Sequence, residues 1–186
     1  DYREVLDVLD MQLVQYGSAL IQRRQTFAEE LGEIVHRIHS QLSGGQEEME
    51  LKYEPNVTVD AFAQMLFLNR ERDMRLKTTA TGPHRDDISF YINEISARSF
   101  GSQGQQRSVA LALKLAESKV MESITGDKPV MFLDDVMSEL DENRQDYILN
   151  HLKDQQVFIT CCDPGQTKAL TRGKIFHMEN GHITQQ

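Results

Sequence analysis

Val130-Met-Phe-Leu-Asp-Asp-Val-Met-Ser-Glu-Leu-Asp141 is the stretch that decides the fold of this chain. It begins with a short apolar run and continues into two adjacent carboxylates, Asp134 and Asp135. A continuously apolar strand is typical of a parallel sheet that is covered on both faces. Two adjacent acids cannot both enter a core without a partner, and a divalent cation is an obvious one. The stretch therefore predicts an α/β fold with an acidic pair at the end of a buried strand.

The second informative segment is Ser102-Gln-Gly-Gln-Gln-Arg107, which opens directly into a helix with periodic apolar residues. The start of a helix presents unpaired backbone N–H groups and the positive end of a dipole, so it suits a phosphate group. An ordinary helix cap would also place a serine at this position. Gly104 favours the ligand site, because a glycine in the first turn weakens a helix and permits close approach.

The segments around these motifs alternate between helix and strand. We predict a loop at residues 101–104, a helix to about Ser123, a strand at 130–133, a helix at 141–153 and a strand at 156–161. This order indicates an α/β layer with parallel strands. Asn180-Gly181 predicts a hairpin near the end of the chain.

The first part of the chain has a different character. Residues 1–42 show one long apolar stripe at helical spacing, and glycines at 44 and 45 predict its end. A strand at 51–54 and a second helix at 58–75 follow, with the second helix expected to pack back on the first. The residues predicted to face inward on the second helix are Phe62, Met65, Leu66 and Leu68. A strand over 88–92 should then turn at Asn93-Glu94 into a second strand over 95–100.

Composition narrows the class of protein. The chain has 186 residues, a net charge of −9, and no apolar run long enough to span a membrane. A negative balance argues against a surface that is wholly a nucleic-acid footprint, because phosphate contacts need clustered Lys and Arg. The only cysteines, Cys161 and Cys162, are adjacent, which excludes a disulfide framework and favours a reducing cytoplasmic compartment. Because the chain starts without a methionine, we expect a piece of a longer protein.

With these motifs in place, the chain resembles the ATP-binding-cassette (ABC) ATPase class, and within it the RecF family of recombination-repair proteins. Ser102-Gln-Gly-Gln-Gln106 resembles the signature loop of the class, residues 130–135 its Walker B strand, and Ser138-Glu-Leu-Asp141 its D-loop. Gly82-Pro-His-Arg-Asp-Asp87 resembles a segment typical of the RecF family. The likeness is strong over about residues 77–165. It implies a helical, coiled-coil-like lobe at 1–77 and the C-terminal half of an ABC-type P-loop ATPase head at 78–186.

The resemblance also implies roles for individual residues. Two heads would dimerise head-to-tail around two ATP molecules, each ATP lying between the acids of one copy and the signature loop of the other. Asp134 would support Mg²⁺, and Asp135 would orient the attacking water as the catalytic residue. The residues implied to contact or support the nucleotide are Ser102, Gln103, Gly104, Gln105, Gln106 and Asp141, with Arg107 helping to hold the loop. Implied partners are DNA and mediators of the RecO and RecR type, with loading of a recombinase at single-stranded gaps as the function and no membrane involved.

Two departures from the class pattern stand out. No G-x-x-x-x-G-K-[ST] phosphate loop occurs in the chain, so we expect this piece alone not to hydrolyse ATP. Cys162 stands where many members of the class carry a histidine.

The alternatives to a RecF-type head are a Rad50-like or chromosome-maintenance head, a transporter subunit, and a scaffold without catalysis. His84 and Arg85 fit either a nucleotide or DNA contact, or a loop held by ion pairs to Asp86 and Asp87.

Overall fold

The computed structural model describes residues 2–152, 155–163, 165 and 173–185. Its helices are α1 (Tyr2–Leu42), α2 (Val59–Leu76), α3 (Ala97–Phe100), α4 (Gln103–Thr125) and α5 (Glu142–His151). Its strands are β1 (Met49–Glu54), β2 (Asp87–Ile92), β3 (Ile95–Ser96), β4 (Met131–Asp134), β5 (Val157–Thr160), β6 (Phe176–Glu179) and β7 (His182–Gln185). Short 3-10 turns cover Pro83–Arg85 and Met137–Glu139. The expected order of elements is confirmed except over residues 97–100, and the predicted end of α5 at residue 153 lies outside the described residues.

Helix α1 ends where the glycines predict. Its last carbonyls are paired by the amides of Ser43, which donates to His39 O at 2.9 Å, and Gly45, which donates to Ser40 O at 2.7 Å. Gly44 and Gly45 have φ angles of 63° and 76°, a region that costs glycine little. The chain therefore reverses direction and enters β1.

Strands β1, β2 and β3 form an antiparallel sheet in that order. Asn93 and Glu94 make the predicted turn, both with positive φ. The predicted strand over 95–100 is wrong beyond Ser96. Ala97 is buried there, and its carbonyl accepts hydrogen bonds from Gly101 N (3.1 Å) and from the side chain of Gln106 (3.1 Å), so the chain coils into α3.

Strands β4 and β5 pair in parallel, with Met131 opposite Val157 and Asp134 opposite Thr160, as the α/β pattern predicts. The expectation that both faces of β4 are covered is wrong for the part of the chain that is described. Phe132 is 75% exposed and stacks on Phe158 with ring centroids 5.1 Å apart, whereas Met131 and Leu133 are buried. The pair therefore has one core face and one open face.

One main core supports both motifs. It combines the C-terminal half of α1, the sheet residues Met49 and Ile92, the apolar face of α4, and β4. A second, smaller core surrounds Phe62 between α1 and α2. Both the start of α4 and the end of β4 therefore extend from elements that are fixed by the main core.

Helix α2 packs back on α1, as predicted. Arg70 contacts Asp7 at 2.6 Å and also pairs with Asp10 across the two helices. Of the four residues predicted to face inward, Phe62 and Leu66 are buried, but Met65 and Leu68 are 39% and 64% exposed, so that part of the prediction is wrong. The reason is that α2 packs against α1 along one narrow stripe of its surface only.

The division at residues 77/78 stays a prediction. The antiparallel pairing of β1 with β2 crosses this position. Among the described helices, none combines the length and the apolar character that a membrane crossing requires.

Candidate functional site

The serine loop, residues 101–106, is held by a reciprocal cap at the start of α4. Ser102 Oγ accepts a hydrogen bond from Gln105 N at 3.2 Å, and Gln105 Oε1 accepts one from Ser102 N at 2.9 Å. This capping box pairs two of the four N–H groups that a helix start leaves without an intrahelical partner. The other two of these four N–H groups belong to Gln103 and Gly104.

Gly104 adds room to this helix start. A Cβ built on it would meet only Ser102 Oγ, at 4.0 Å, and its φ is not in the left-handed region. Neither packing nor backbone conformation therefore requires a glycine at this position. Within the described residues, no hydrogen bond is resolved for the N–H groups of Gln103 and Gly104. A ligand approaching them would meet no side chain at Gly104, and the hydroxyl hydrogen of Ser102 is available to it, since Oγ serves the cap only as an acceptor.

The remaining residues predicted for this loop divide into two groups. Gln103 lies exposed at the first helical position. The amide of Gln106 donates instead to backbone oxygens, Ala97 O at 3.1 Å and Gly101 O at 3.3 Å, and so supports the loop from behind. Gln105 is half-buried and completes the cap.

The acidic pair lies at the exposed C-terminal end of β4, and one hydroxyl of β5 bridges its two residues. Thr160 Oγ donates to Asp134 Oδ1 and accepts from Asp135 N at 3.0 Å. Ser138 Oγ donates to Asp135 O at 3.0 Å and lies 3.2 Å from Asp135 Oδ1. Asp135 has a φ of 49°, an uncommon conformation for a residue other than glycine. Backbone strain of this kind clusters at functional sites.

Asp141 caps helix α5 in the segment that resembles a D-loop. Its Oδ1 accepts from Arg144 N at 3.0 Å, and its Oδ2 pairs with the Arg144 guanidinium. Burial alone would raise the pKa of Asp141, but the hydrogen bonds and the charge of Arg144 outweigh it and lower the pKa. The carboxylate therefore stays ionised, and its orientation is defined by the helix start.

The donor atoms at the end of β4 are all oxygens. No group of three or more His, Cys, Asp or Glu that could hold a metal is present among the described residues. Mg²⁺ does not need such a cage, because it is usually held by one or two carboxylates together with water and phosphate oxygens. Asp134, Asp135 and the nearby hydroxyls fit that chemistry.

Cys162, predicted to stand where many members of the class carry a histidine, is exposed just past β5. Its neighbour Cys161 is half-buried, and burial, followed by the nearby Cys162, Asp163 and Asp135, raises the pKa of that thiol. A raised pKa keeps Cys161 in the weakly nucleophilic thiol form. Cys161 therefore lacks the character of an activated nucleophile.

The loop 82–87 is not held by ion pairs of His84 or Arg85 to Asp86 and Asp87, whereas the alternative of a nucleotide or DNA contact stays a prediction. Asp86 accepts hydrogen bonds from Arg24 (2.9 Å), from the Tyr53 hydroxyl and from Asn56 N (3.0 Å). Burial and then this bond to Asp86 raise the pKa of Tyr53 to about 12. His84 Nε2 lies 2.7 Å from Thr79 O, and Asp87 pairs with Arg98. The loop is thus tied to α1 and β1, and its ion pairs involve distant residues instead of His84 or Arg85.

Thr160 and Arg144 are the two residues of the site that sequence reasoning missed. Thr160 stands in the same register position of β5 as Asp134 in β4. The signal available in the sequence was that neighbouring parallel strands end at the same edge of a sheet. For Arg144, the signal was an arginine three residues after Asp141, the acid at which a helix was predicted to start.

No protein-family profile matches the chain. Curated relatives named DNA replication and repair protein RecF do match it. The protein of Agathobacter rectalis is 45% identical over 185 residues, which are 98% of this chain and 51% of that protein. The proteins of Clostridium perfringens and Streptococcus suis are 41% and 42% identical over 97% of this chain and 52% of their own length.

Solved structures agree. A structure of the recombination mediator protein RecF with ATP, in the RecFOR pathway, superposes with a TM-score of 0.79 at 31% identity, covering 98% of this chain and 50% of that one. An SMC ATPase described for ATP-driven dimerisation has a TM-score of 0.55 at 12% identity, covering 89% of this chain and 87% of its own. That second likeness concerns the fold alone. The predicted α/β fold of an ABC-type ATPase head is confirmed.

The chain spans about half the length of the curated relatives it matches. Within that half, nearly every residue of the chain aligns with them. From this extended identity and the matching structures, we conclude that the chain belongs to the RecF family.

Proposed function

We propose that this chain supplies two parts of a RecF-type ATPase head, an acidic pair acting on the nucleotide of its own copy and a serine loop acting on that of its partner. Two heads would close around ATP while the protein is on DNA. The observation that carries the proposal is the arrangement at the end of β4, where the Thr160 hydroxyl bridges the Asp134 carboxylate and the backbone N–H of Asp135, and where Asp135 has a strained backbone. Such preorganisation costs stability and is typical of a site for a cation and a reacting water.

Each residue then has a defined task. A bound Mg²⁺ would neutralise phosphate charge at Asp134, the carboxylate that Thr160 orients. Asp135 would accept a hydrogen bond from the attacking water, with Ser138 limiting the rotation of its carboxylate. In the partner copy, Ser102 Oγ and the N–H groups of Gln103 and Gly104 would bind the terminal phosphate. Asp141 would connect the two composite sites.

ATP binding would serve chiefly to close the dimer, and hydrolysis to release it. The energy of nucleotide binding is then used to stabilise the closed state, as expected for a ligand that shifts a conformational equilibrium. With a net charge of −9, this chain is a poor general surface for DNA, so DNA contacts would be local or lie in other parts of the protein. We place its function in the cytoplasm, with RecO- and RecR-type mediators as partners and recombinase loading at single-stranded gaps as the outcome.

The direct test is Ser102→Arg in a protein of the relatives' full length that includes this sequence. The arginine fills the space above Gly104 that a phosphate would use, so we expect ATP-dependent dimerisation to fall at least about tenfold, as for loss of several phosphate contacts. Sedimentation with and without ATP measures the effect. Binding of ATP to the monomer should be unchanged.

Ser123→Arg is the matched control. Ser123 lies exposed near the other end of the same helix, so it tests the effect of an added arginine alone. If Ser102→Arg and Ser123→Arg dimerise equally well with ATP, the serine loop is not part of a composite site. A scaffold without catalysis would then be the better interpretation.

A chromosome-maintenance type of head is the main alternative, since an SMC ATPase shares the fold. Such a head would use its long helix as the base of an extended arm. Here α1 ends in a glycine turn that leads straight into β1. The paired β1 therefore makes α1 part of a compact lobe.

A further inference from the structure

Glu47 lies in the connection between α1 and β1, and its carboxylate contacts the first turns of two helices, α4 and α5. Gln105 Nε2 donates to Glu47 Oε1 at 2.9 Å, and Arg144 Nη2 donates to Glu47 Oε2 at 3.4 Å. The side chains of Glu47 and Arg144 are only 17% and 18% exposed. One largely buried carboxylate thus joins residues that are far apart in the sequence.

The contact with Gln105 acts on the serine loop. The amide oxygen of Gln105 accepts from Ser102 N at 2.9 Å while its amide nitrogen donates to Glu47. The side-chain amide of Gln105 can adopt two orientations that exchange its oxygen and nitrogen, and only one of them suits the cap. Because a carboxylate accepts but does not donate, Glu47 selects the orientation that completes the capping box at Ser102.

The contact with Arg144 acts on the segment that resembles a D-loop. Arg144 pairs with Asp141 through its Nη1 and contacts Glu47 through its Nη2. A planar guanidinium that is held on two sides has little freedom to rotate. The position of Asp141 is therefore linked through Arg144 to Glu47.

The connection that carries Glu47 is itself held in place. Glu47 N donates to Ser43 Oγ at 3.3 Å, and Glu48 N donates to Asn93 Oδ1 at 2.9 Å. Asn93 N in turn donates to Glu48 O at 2.8 Å. The carboxylate thus projects from a segment anchored to the end of α1 and to the β2–β3 turn.

We propose that Glu47 is a positioning residue that couples the serine loop to the Asp141 segment, so that both reach the geometry needed for closure together. The inference rests on the proposed function, in which these two segments face the partner copy. Glu47 contacts neither the acidic pair nor any group proposed to bind nucleotide in its own copy. Its loss should affect closure of the dimer and leave ATP binding by one copy intact.

The test compares Glu47→Ala, Glu47→Gln and the control Glu50→Gln in the full-length protein. Glu50 lies three positions further along the chain, is exposed, and pairs only with Lys52 at 3.0 Å among the contacts resolved for it, so the control removes the same charge nearby. We expect Glu47→Ala to weaken ATP-dependent dimerisation about tenfold, as for loss of a charged hydrogen-bonding partner. The dimerisation of Glu47→Gln should lie between that of the parent and that of Glu47→Ala, because this variant keeps an acceptor for Gln105 but loses the charge facing Arg144. Fluorescent ATP binding to the monomer should stay within about twofold of the parent in all three variants.

A double variant identifies the route. Gln105→Ala should weaken dimerisation less when it is added to Glu47→Ala than when it is made in the parent protein, because both substitutions break the same link. Equal dimerisation of Glu47→Ala, Glu47→Gln and Glu50→Gln would overturn the inference, as would an equal loss of monomer ATP binding. If Glu47→Ala does not fold, Glu47→Gln and its double variant decide the question. Dimerisation that is insensitive to Ser102→Arg would instead overturn the proposed function.

Discussion

His39 lies fully buried at the end of α1, with its Nε2 3.7 Å from Glu47 Oε2. Within the described part of the chain, neither of its ring nitrogens has a hydrogen-bond partner. Burial lowers the pKa of His39; Glu47 opposes this shift, while Arg144 and His36 add to it. The residue is thus kept neutral, and Glu47 remains free to serve Gln105 and Arg144.

This predicts a pH-dependent stability. In the unfolded chain, His39 takes up a proton near its ordinary pKa of about 6.5, whereas in the folded protein it resists protonation to a lower pH. The unfolded state therefore binds more protons as the pH falls below about 6.5, and stability declines by at most about 1.4 kcal/mol per pH unit from this residue. Urea unfolding between pH 7.5 and pH 5.5 (about two pH units) measures the decline.

His39→Leu is the variant that isolates the effect, because it removes the titrating ring and keeps an apolar side chain of similar size. Its free energy of unfolding should fall less steeply over the same range of pH. Parallel curves for the parent and His39→Leu would show that His39 does not titrate differently on unfolding.

At the scale of elements, the two glycines of α1 have different roles. Gly17 and Gly32 look alike in the sequence, where each weakens the helix locally. In the structure, a Cβ on Gly17 would lie 2.5 Å from Phe62 Cε1, and Phe62 is fully buried. A Cβ on Gly32 would have ordinary contacts, the nearest being Leu51 Cβ at 3.8 Å. Gly17 is therefore the place where α2 approaches α1 closely.

The pair makes an opposite-sign prediction. Gly17→Ala should destabilise the protein by about 1–3 kcal/mol, because overpacking against a buried ring exceeds the gain in helix propensity. Gly32→Ala should stabilise it by about 0.5–1 kcal/mol, the usual gain for replacing glycine within a helix. Chemical denaturation of both variants measures the difference. Equal effects of the two substitutions would mean that α1 and α2 can separate without cost.

At the scale of the whole molecule, the proposed function predicts complementation between two inactive variants. Ser102→Ala removes the part that acts on the partner, and Asp135→Asn removes the part that acts within one copy. A mixed dimer would have one site with both defects and one site with none. Random pairing in a symmetric dimer then restores about one quarter of the parental ATPase rate, since half of the dimers are mixed.

The measurement is the steady-state ATPase rate of each full-length variant alone and of an equal mixture. Recovery in the mixture, with little activity in either variant alone, requires sites shared between copies. A mixture that is no more active than the mean of its components would place Ser102 and Asp135 at sites that do not combine.

Sequence reasoning succeeded wherever the deciding contacts are local. The cap of α4 links Ser102 and Gln105, three residues apart, and the turn at Asn93-Glu94 depends on two adjacent residues. The strand that carries Asp134 and Asp135 was also predicted. Sequence reasoning failed where a neighbouring element decides the local structure or the burial of a side chain. The examples are the open face at Phe132, the short helix at Ala97 and the exposed side of α2.

Periodicity and local hydrogen bonding, which depend on residues a few positions apart, by themselves determined the α/β order, the serine-capped helix and the acidic strand end. Only the tertiary structure decided that Thr160 bridges Asp134 and Asp135, that Glu47 joins Gln105 to Arg144, and that Gly17 leaves room for Phe62. These contacts join residues that lie 25 to 97 positions apart in the sequence. The physical reason is that such contacts depend on how elements pack and on strand register, and neither leaves a signal in the local pattern of the sequence.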